Sequence, residues 1–227
     1  MNKKHLVVLT GAGISAESGL RTFRDSDGLW MGHNVTDVAT PGAFRRNPQL
    51  VLDFYNERRK DVAAAQPNAA HILLADLEKH FDVTVITQNI DDLHERGGST
   101  NVLHLHGEIF KMRSVHDEET IYDIRGNINV GDTAKDGSQL RPFIVWFEEP
   151  VPMITKAAAI TATADIFVVI GTSLQVYPAA GLTDMVPYGA DKYIIDRKVP
   201  ANNIADMHVI ELPATEGVEE LRKLLLD

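Results

Sequence analysis

The chain has 227 residues, enough for one large domain or for a domain carrying a small insert. It is 44% hydrophobic and 24% charged, an ordinary globular mixture that argues against disorder. A formal net charge of -10 disfavours nucleic acid and anionic membrane partners, and the absence of cysteine excludes disulfides, thiolate zinc sites and a cysteine nucleophile.

The first apolar run, Leu6-Val7-Val8-Leu9, is too short for a signal-peptide core, and no run approaches the ~18 residues that span a bilayer. A soluble, cytoplasmic, monomeric protein is expected. In chain order, a strand over 6–10 leads into the glycine-rich turn Gly11-Ala12-Gly13-Ile14-Ser15-Ala16 and a helix start. Residues 24–66 show no convincing strand, only turn chemistry and one helical pattern from about 49 to 65. A helix is expected over 67–77, where Pro67 suits a first turn, then strands over 83–87 and 102–105. Residues 113–140 are polar, with Gly126, Gly131 and Gly137 spaced like hairpin turns. Strands over 143–147, 166–170, 193–195 and 208–212 follow, with helices over 150–164 and 216–226.

The run Ile166-Phe167-Val168-Val169-Ile170 suits a strand buried on both faces. The alternation indicates an α/β fold, a Rossmann-like doubly wound parallel sheet with a small module built from two insertions. The expected division gives 1–30, 67–112 and 141–227 to the sheet domain, and 31–66 and 113–140 to a small helical and hairpin module.

Gly11 and Gly13 would let the backbone approach a pyrophosphate; a mere tight strand-to-helix connection is the alternative. Where an ordinary dinucleotide fold places a second strand and an acidic ribose ligand, this chain has Phe23-Arg24-Asp25-Ser26-Asp27-Gly28, which reads as loop. A long loop bearing Phe23 and Arg24 over a bound nucleotide suits a cofactor that is consumed, not one that cycles a hydride.

The segment Gly11-Ala12-Gly13-Ile14-Ser15-Ala16-Glu17-Ser18-Gly19-Leu20-Arg21-Thr22-Phe23-Arg24 closely resembles the opening motif of sirtuins, the NAD-dependent protein lysine deacylases. Four later segments match in the same order: Thr87-Gln88-Asn89-Ile90-Asp91-Asp92-Leu93-His94, His104-Leu105-His106-Gly107-Glu108, 140–147 with its Leu140-Arg141-Pro142, and Gly171-Thr172-Ser173 through Ala179. The resemblance implies that NAD is held by Gly11, Ala12, Gly13, Ser15, Glu17, Phe23, Arg24 and Trp30. It places Asn89 and Asp91 at the nicotinamide and Gln88 on ribose. Gly171, Thr172 and Ser173 then lie on the adenosine side, Asp196 at the adenine ribose and Ala214 against adenine. For Asp91 and Asp92 a simple helix cap is the competing reading.

Histidine is the natural general base near neutral pH, and His106 ends a strand. In sirtuins the matching histidine deprotonates a ribose hydroxyl, after the acyl-lysine carbonyl oxygen has displaced nicotinamide. His104 and His106 share a strand face and could be metal ligands, but no third ligand has recognisable spacing. His71 reads as a packed structural histidine and His94 as a support for its helix. The resemblance implies that Val145, Phe147, Gln175 and Val176 bind the acylated lysine peptide as an added strand.

Tyr55 and Arg58 lie three apart on an expected helix, where a phenol and a guanidinium can together bind a carboxylate. The pair resembles that of the sirtuin subgroup removing succinyl and malonyl groups. A solvated face formed by Arg58, Arg59 and Lys60 is the alternative.

Three departures stand out. The four zinc cysteines of most sirtuins fall near Ser114, Asp117, Thr133 and Asp136, so a structural zinc of the usual kind is not expected. Ile121, Tyr122, Ile124, Ile128 and Val130 can give that module a small apolar contact set instead. Glu148 stands where the family usually has glycine, and Asp196 replaces a frequent asparagine. The leading reading is a desuccinylase and demalonylase with some deacetylase activity. The alternatives are a sirtuin-like ADP-ribosyltransferase or NAD-glycohydrolase, and a non-catalytic NAD or ADP-ribose binding module.

Overall fold

The computed structural model describes residues 3–21, 29–199 and 206–227. Phe23 and Arg24 therefore lie outside the described residues. Strand β1 (His5–Thr10) runs into a 3-10 segment, Ala12–Ser18, so the turn after the glycines is wound more tightly than an α-helix. Strands β2 (Leu29–Trp30) and β3 (His33–Asn34) form a two-residue antiparallel pair in a stretch whose sequence shows no strand pattern. Helices α1 (Val35–Val38), α2 (Pro41–Arg46), α3 (Pro48–Ala64) and α4 (Ala69–Leu77) lead to β4 (Asp82–Thr87), α5 (Leu93–Gly97) and β5 (Val102–His104). Strands β6 (Gly107–Ser114), β7 (Ile121–Asp123) and β8 (Leu140–Ile144) make a separate antiparallel sheet in the order β7-β6-β8. Helix α6 (Ile154–Thr161), β9 (Ile166–Ile170), a 3-10 segment over Ala179–Met185, β10 (Asp191–Ile195), β11 (His208–Ile210) and α7 (Ala214–Leu226) complete the chain.

The main sheet is wholly parallel, in the order β11-β10-β9-β1-β4-β5. The chain winds outward from β1 in one direction through β4 and β5, then returns to β9 and winds outward in the other. The reversal falls between β1 and β9, and such a switch point opens a crevice at the carboxyl ends of the strands.

Both faces of the sheet are covered, which is why its strands are apolar on both sides. Leu6 and Val8 pack with Val168, Leu74, Val218 and Leu221 on one face. Val7 and Leu9 pack with Phe167, Val169, Ala157 and Leu182 on the other. A third cluster joins α3 to the small sheet through Val51, Phe54, Tyr55, Ile109 and Trp146.

The sequence pattern places a strand over 143–147, yet β8 ends at Ile144. The next residues leave the sheet: the Val145 amide donates to the His106 carbonyl (2.9 Å) and the Phe147 amide to the Ala39 carbonyl (3.0 Å). Pro142, which has no amide to donate, is tolerated because β8 is an edge strand. The turn between β6 and β7 contains none of the three glycines. Asp117 makes it instead, its Oδ1 accepting from the amides of Glu119 (2.9 Å) and Thr120 (3.0 Å). Gly131 and Gly137 do occupy left-handed turns, with φ of 98° and 80°.

Candidate active site

A cavity of about 610 Å³ opens at the switch point, between the strand ends of the main sheet and the small sheet. Its floor is two turns in contact. The Gly13 amide donates to the Gly171 carbonyl at 2.8 Å, and a Cβ on Gly13 would lie 2.6 Å from the Gly171 Cα. The glycines of the opening motif are thus required first for the approach of one turn to the other. Ala12, Ser15, Thr172 and Ser173 line the cavity beside Gly11, Gly13 and Gly171.

The turn after β4 supplies the next wall. Gln88 Nε2 donates to Thr172 Oγ1 at 3.2 Å, tying the two strand ends together. Asn89 Nδ2 donates to the Gly11 carbonyl and to Ser15 Oγ, both at 3.2 Å, leaving its side-chain oxygen as its remaining polar group. Asp91 accepts from Ser15 Oγ (3.1 Å) and from the Leu93 amide (3.2 Å). It therefore holds the first amide of α5 and borders the cavity at once. Its burial raises its pKa above the usual carboxylate value, although these bonds and Arg58 oppose the shift.

His106 stands between β5 and β6. Gly107 has a φ of 82°, and a Cβ there would come within 2.1 Å of the Phe143 carbonyl oxygen, so only glycine lets β8 close behind the histidine. The His106 Nδ1 lies 3.0 Å from the Gln88 carbonyl oxygen. A carbonyl only accepts, so Nδ1 carries the proton in the neutral ring and Nε2 keeps its lone pair. Burial lowers the His106 pKa, with the Gln88 bond opposing, and favours that neutral form.

His104 is engaged elsewhere, with Nδ1 3.0 Å from the Asn89 carbonyl oxygen and Nε2 2.8 Å from Glu95 Oε1. No group of three or more metal-ligating side chains occurs among the described residues. His71 and His94 are fully buried in the core beside the site, their rings 4.9 Å apart.

Tyr55 and Arg58 reach the same cavity from α3, bringing with them Trp30, whose ring lies 5.8 Å from the Arg58 guanidinium. Tyr55 is 1% exposed and Arg58 6%, so neither belongs to a solvated face; on that stretch it is Lys60 that faces solvent, paired with Glu57. Arg58 Nε and Nη1 are buried without a hydrogen-bond partner among the described residues. Burial lowers the Arg58 pKa, while the nearby charges of Asp91 and Asp61 resist that shift.

The far wall is the segment after β8. Val145 is half-buried and Phe147 is exposed, and both line the cavity opposite Gln175 and Val176. Glu148 adopts a φ of 73°, the left-handed region that suits glycine. An ion pair without a local sequence pattern holds this segment. Glu149 accepts from Arg141 Nη1 at 2.6 Å, from Arg141 Nη2 at 3.1 Å and from the Trp146 amide at 2.8 Å, while Arg141 stacks 3.4 Å from the Trp146 ring.

Asp196, at the end of β10, and Ala214, at the start of α7, close the opposite end of the cavity. Glu17 turns away from it: its carboxylate accepts from the Thr215 amide (3.1 Å) and hydroxyl (2.9 Å) and so caps α7. Arg21, Arg197 and Lys198 line the cavity as well; they lie in loops where no sequence periodicity marks them.

Residues 11–178 match the model of the Sir2 family. The chain belongs to that family. It is 54% identical over 230 residues to the NAD-dependent protein deacylase of Bacteroides thetaiotaomicron, covering 98% of each chain. It is 49% identical over 225 residues to that of Helicobacter pylori, covering 99% of this chain and 98% of the relative. Among solved structures, a mutant Sir2 homologue complexed with ADP-ribose superposes with a TM-score of 0.88 at 39% identity, over 99% of this chain and 95% of that one. A Sir2 homologue complexed with NAD gives 0.86 at 39% identity, over 98% and 91%.

The positions expected to lie near the zinc cysteines of most sirtuins do not fit the metal. Ser114 Oγ donates to Asp136 Oδ2 at 2.6 Å, Asp136 Oδ1 accepts from the Ser138 amide (2.9 Å), and Thr133 bridges Gln139 through its backbone. Together with the Asp117 turn, these groups satisfy one another and offer no thiolate.

Proposed function

We propose that this protein is an NAD-dependent protein lysine deacylase that prefers acyl groups ending in a carboxylate, such as succinyl and malonyl, and removes acetyl as a secondary activity. The deacylase reading is supported by family membership and by near-full-length relatives of that name. The acyl preference rests on one observation: Arg58, which lines the cavity that also holds His106, is a buried guanidinium with two nitrogens unpartnered among the described residues. Leaving a buried charge unpaired is costly, and a carboxylate placed there would restore the pairing.

The residues fit NAD. Two glycine turns meet at the switch point, and the cavity runs from the Asp196 end to His106. When bound, NAD supplies an activated glycosidic bond to nicotinamide and a neighbouring ribose hydroxyl. Gly11, Ala12, Gly13, Ser15, Gln88, Gly171, Thr172, Ser173, Asp196 and Ala214 are assigned to hold it, with Asn89 and Asp91 at the nicotinamide end. Trp30 closes the acyl side. His106 Nε2 takes the hydroxyl proton, because its lone pair is kept free by the Nδ1 bond to Gln88. Val145, Phe147, Gln175 and Val176 flank an acylated peptide as an added strand, and Tyr55 and Arg58 receive the acyl carboxylate. In this division of labour the main sheet carries the dinucleotide, and the small module carries the acyl side.

Mass spectrometry of products from NAD with succinyl-lysine and acetyl-lysine peptides tests the reading. Free lysine peptide, nicotinamide and acyl-ADP-ribose are expected, with succinyl the better substrate. Nicotinamide release without any acyl peptide would instead identify an NAD-glycohydrolase.

A further inference from the structure

Helix α3 presents two stripes that differ by one residue. Val51, Tyr55, Arg58 and Val62 form the first, and Tyr55 and Arg58 from it enter the cavity. Leu52, Asn56 and Arg59 form the second, about 100° further round the helix. That second stripe grips the cysteine-free module. Asn56 Nδ2 donates to the Ile128 carbonyl and Asn56 Oδ1 accepts from the Ile128 amide, both at 2.9 Å. This is the two-bond exchange that a neighbouring strand would make. Arg59 Nε donates to the Ile109 carbonyl at 2.8 Å, and its Nη1 donates to Asn56 Oδ1 (2.9 Å) and to the Gly126 carbonyl (3.2 Å). Leu52 seals the contact against Ile128 and Leu140.

Arg59 is 2% exposed and has no ion-pair partner among the described residues; two backbone carbonyls and the Asn56 side-chain oxygen hold its Nε and Nη1, and Nη2 has no partner there. A guanidinium buried in that way holds a fixed direction. Ile109 belongs to β6, the strand that begins directly after His106. The same guanidinium thus connects α3, the strand behind the catalytic histidine and the loop of the small module.

We infer that Asn56 and Arg59 are positioning residues that fix the rotation of α3 against the small module and thereby aim Tyr55 and Arg58 into the acyl pocket. This rests on the proposed carboxylate pocket. It also assigns to side-chain-to-backbone bonds from α3 the anchoring of a module that carries no zinc cysteine.

The test compares Arg59→Met, Arg59→Lys and Asn56→Asp in the full chain. Asn56→Asp is the milder change, keeping the acceptor for Ile128 and Arg59 while losing the donor, and it carries the test if Arg59→Met does not fold. KM and kcat are measured with succinyl-lysine and acetyl-lysine peptides, together with the KM for NAD. Arg59→Met is expected to raise the succinyl-peptide KM about tenfold while the acetyl-peptide and NAD values stay within about twofold. Arg59→Lys, which can still reach the Ile109 carbonyl, recovers part of that loss. Equal losses for both peptides, or no loss for either, would overturn the assignment. Crystal structures of the variants decide the aim directly, whatever acyl group the wild-type enzyme prefers. A displaced Arg58 guanidinium supports the clamp, and an unmoved one refutes it. A wild-type enzyme without succinyl preference would count against the carboxylate pocket alone.

Discussion

The His106 ring donates an Nδ1–H hydrogen bond to the Gln88 carbonyl, 3.0 Å away, so the residue that follows β4 selects the tautomer of the proposed catalytic base. Burial depresses the His106 pKa below its ordinary 6.5. The neutral form therefore persists down to lower pH than in a free histidine, and kcat/KM is expected to be flat above pH 6.5 and to fall only below it. His106→Ala should lower kcat/KM by about a thousandfold or more while leaving the melting temperature within a few degrees. An acid limb centred above pH 6.5 would contradict the assignment.

His106 was legible because a histidine between an apolar run and a glycine is local information, although β5 itself ends at His104. So were β1 and β9, whose unbroken apolar runs reflect burial on both faces, and β4, where threonines interrupt the run. What escaped is non-local. The Arg141–Glu149 pair depends on a loop folding back on β8, and nothing in the spacing of those residues announces it. The end of β8 at Ile144 is set by bonds to His106 and Ala39, which are distant in sequence. The turn between β6 and β7 is made by Asp117, ahead of the three glycines that mark turns in the sequence. Arg59 belongs to a charge run that reads as solvated, yet backbone carbonyls from β6 and from the segment after β7 make it an interior residue.

Arg58 bears on both activity and stability. Arg58→Met should reduce kcat/KM for a succinyl peptide about a hundredfold, the value of a charge-assisted hydrogen-bonded pair. Acetyl-peptide kcat/KM should change by less than about threefold. The same variant removes a buried charge but also takes from the buried Asp91 carboxylate a charge that supports its ionised form, so urea unfolding should show it within about 1 kcal/mol of wild type. Equal activity losses with both peptides would remove the carboxylate role.

Glu149 holds the Val145–Phe147 wall through Arg141 and the Trp146 amide. Glu149→Gln leaves the guanidinium of Arg141, 5% exposed, without its counter-charge. Breaking such a pair from one side should cost about 3 kcal/mol in urea unfolding. The double variant Arg141→Met/Glu149→Gln should recover part of that loss, because both buried charges are then gone. Additive losses in the cycle would mean that the pair does not act as a unit. The peptide KM should rise in both, since the wall proposed to flank the peptide loses its tether.

His71 is pushed down to about 4, chiefly by burial and also by the Arg96 charge, and His94 beside it lies well below 6.5. Both rings are therefore neutral in the fold. The unfolded chain takes up these protons near pH 6.5, so the stability is fully present above that pH and is lost as the pH falls toward 4. For His71 alone the loss by pH 4 is about 3 kcal/mol. His104 acts in the opposite sense: burial lowers its pKa, but Glu95 outweighs burial and raises it, so that pair stabilises the fold in acid. The variant His71→Gln isolates the buried ring, because both proteins keep His104. His71 Nδ1 accepts from the Asn68 amide at 3.3 Å in the capping box of α4, and a glutamine carbonyl can accept the same bond. At pH 7 the variant should lie within about 1 kcal/mol of wild type, and by pH 5 it should be the more stable of the two. Stability curves that run parallel from pH 7 to 5 would show that His71 takes up no proton on unfolding in that range.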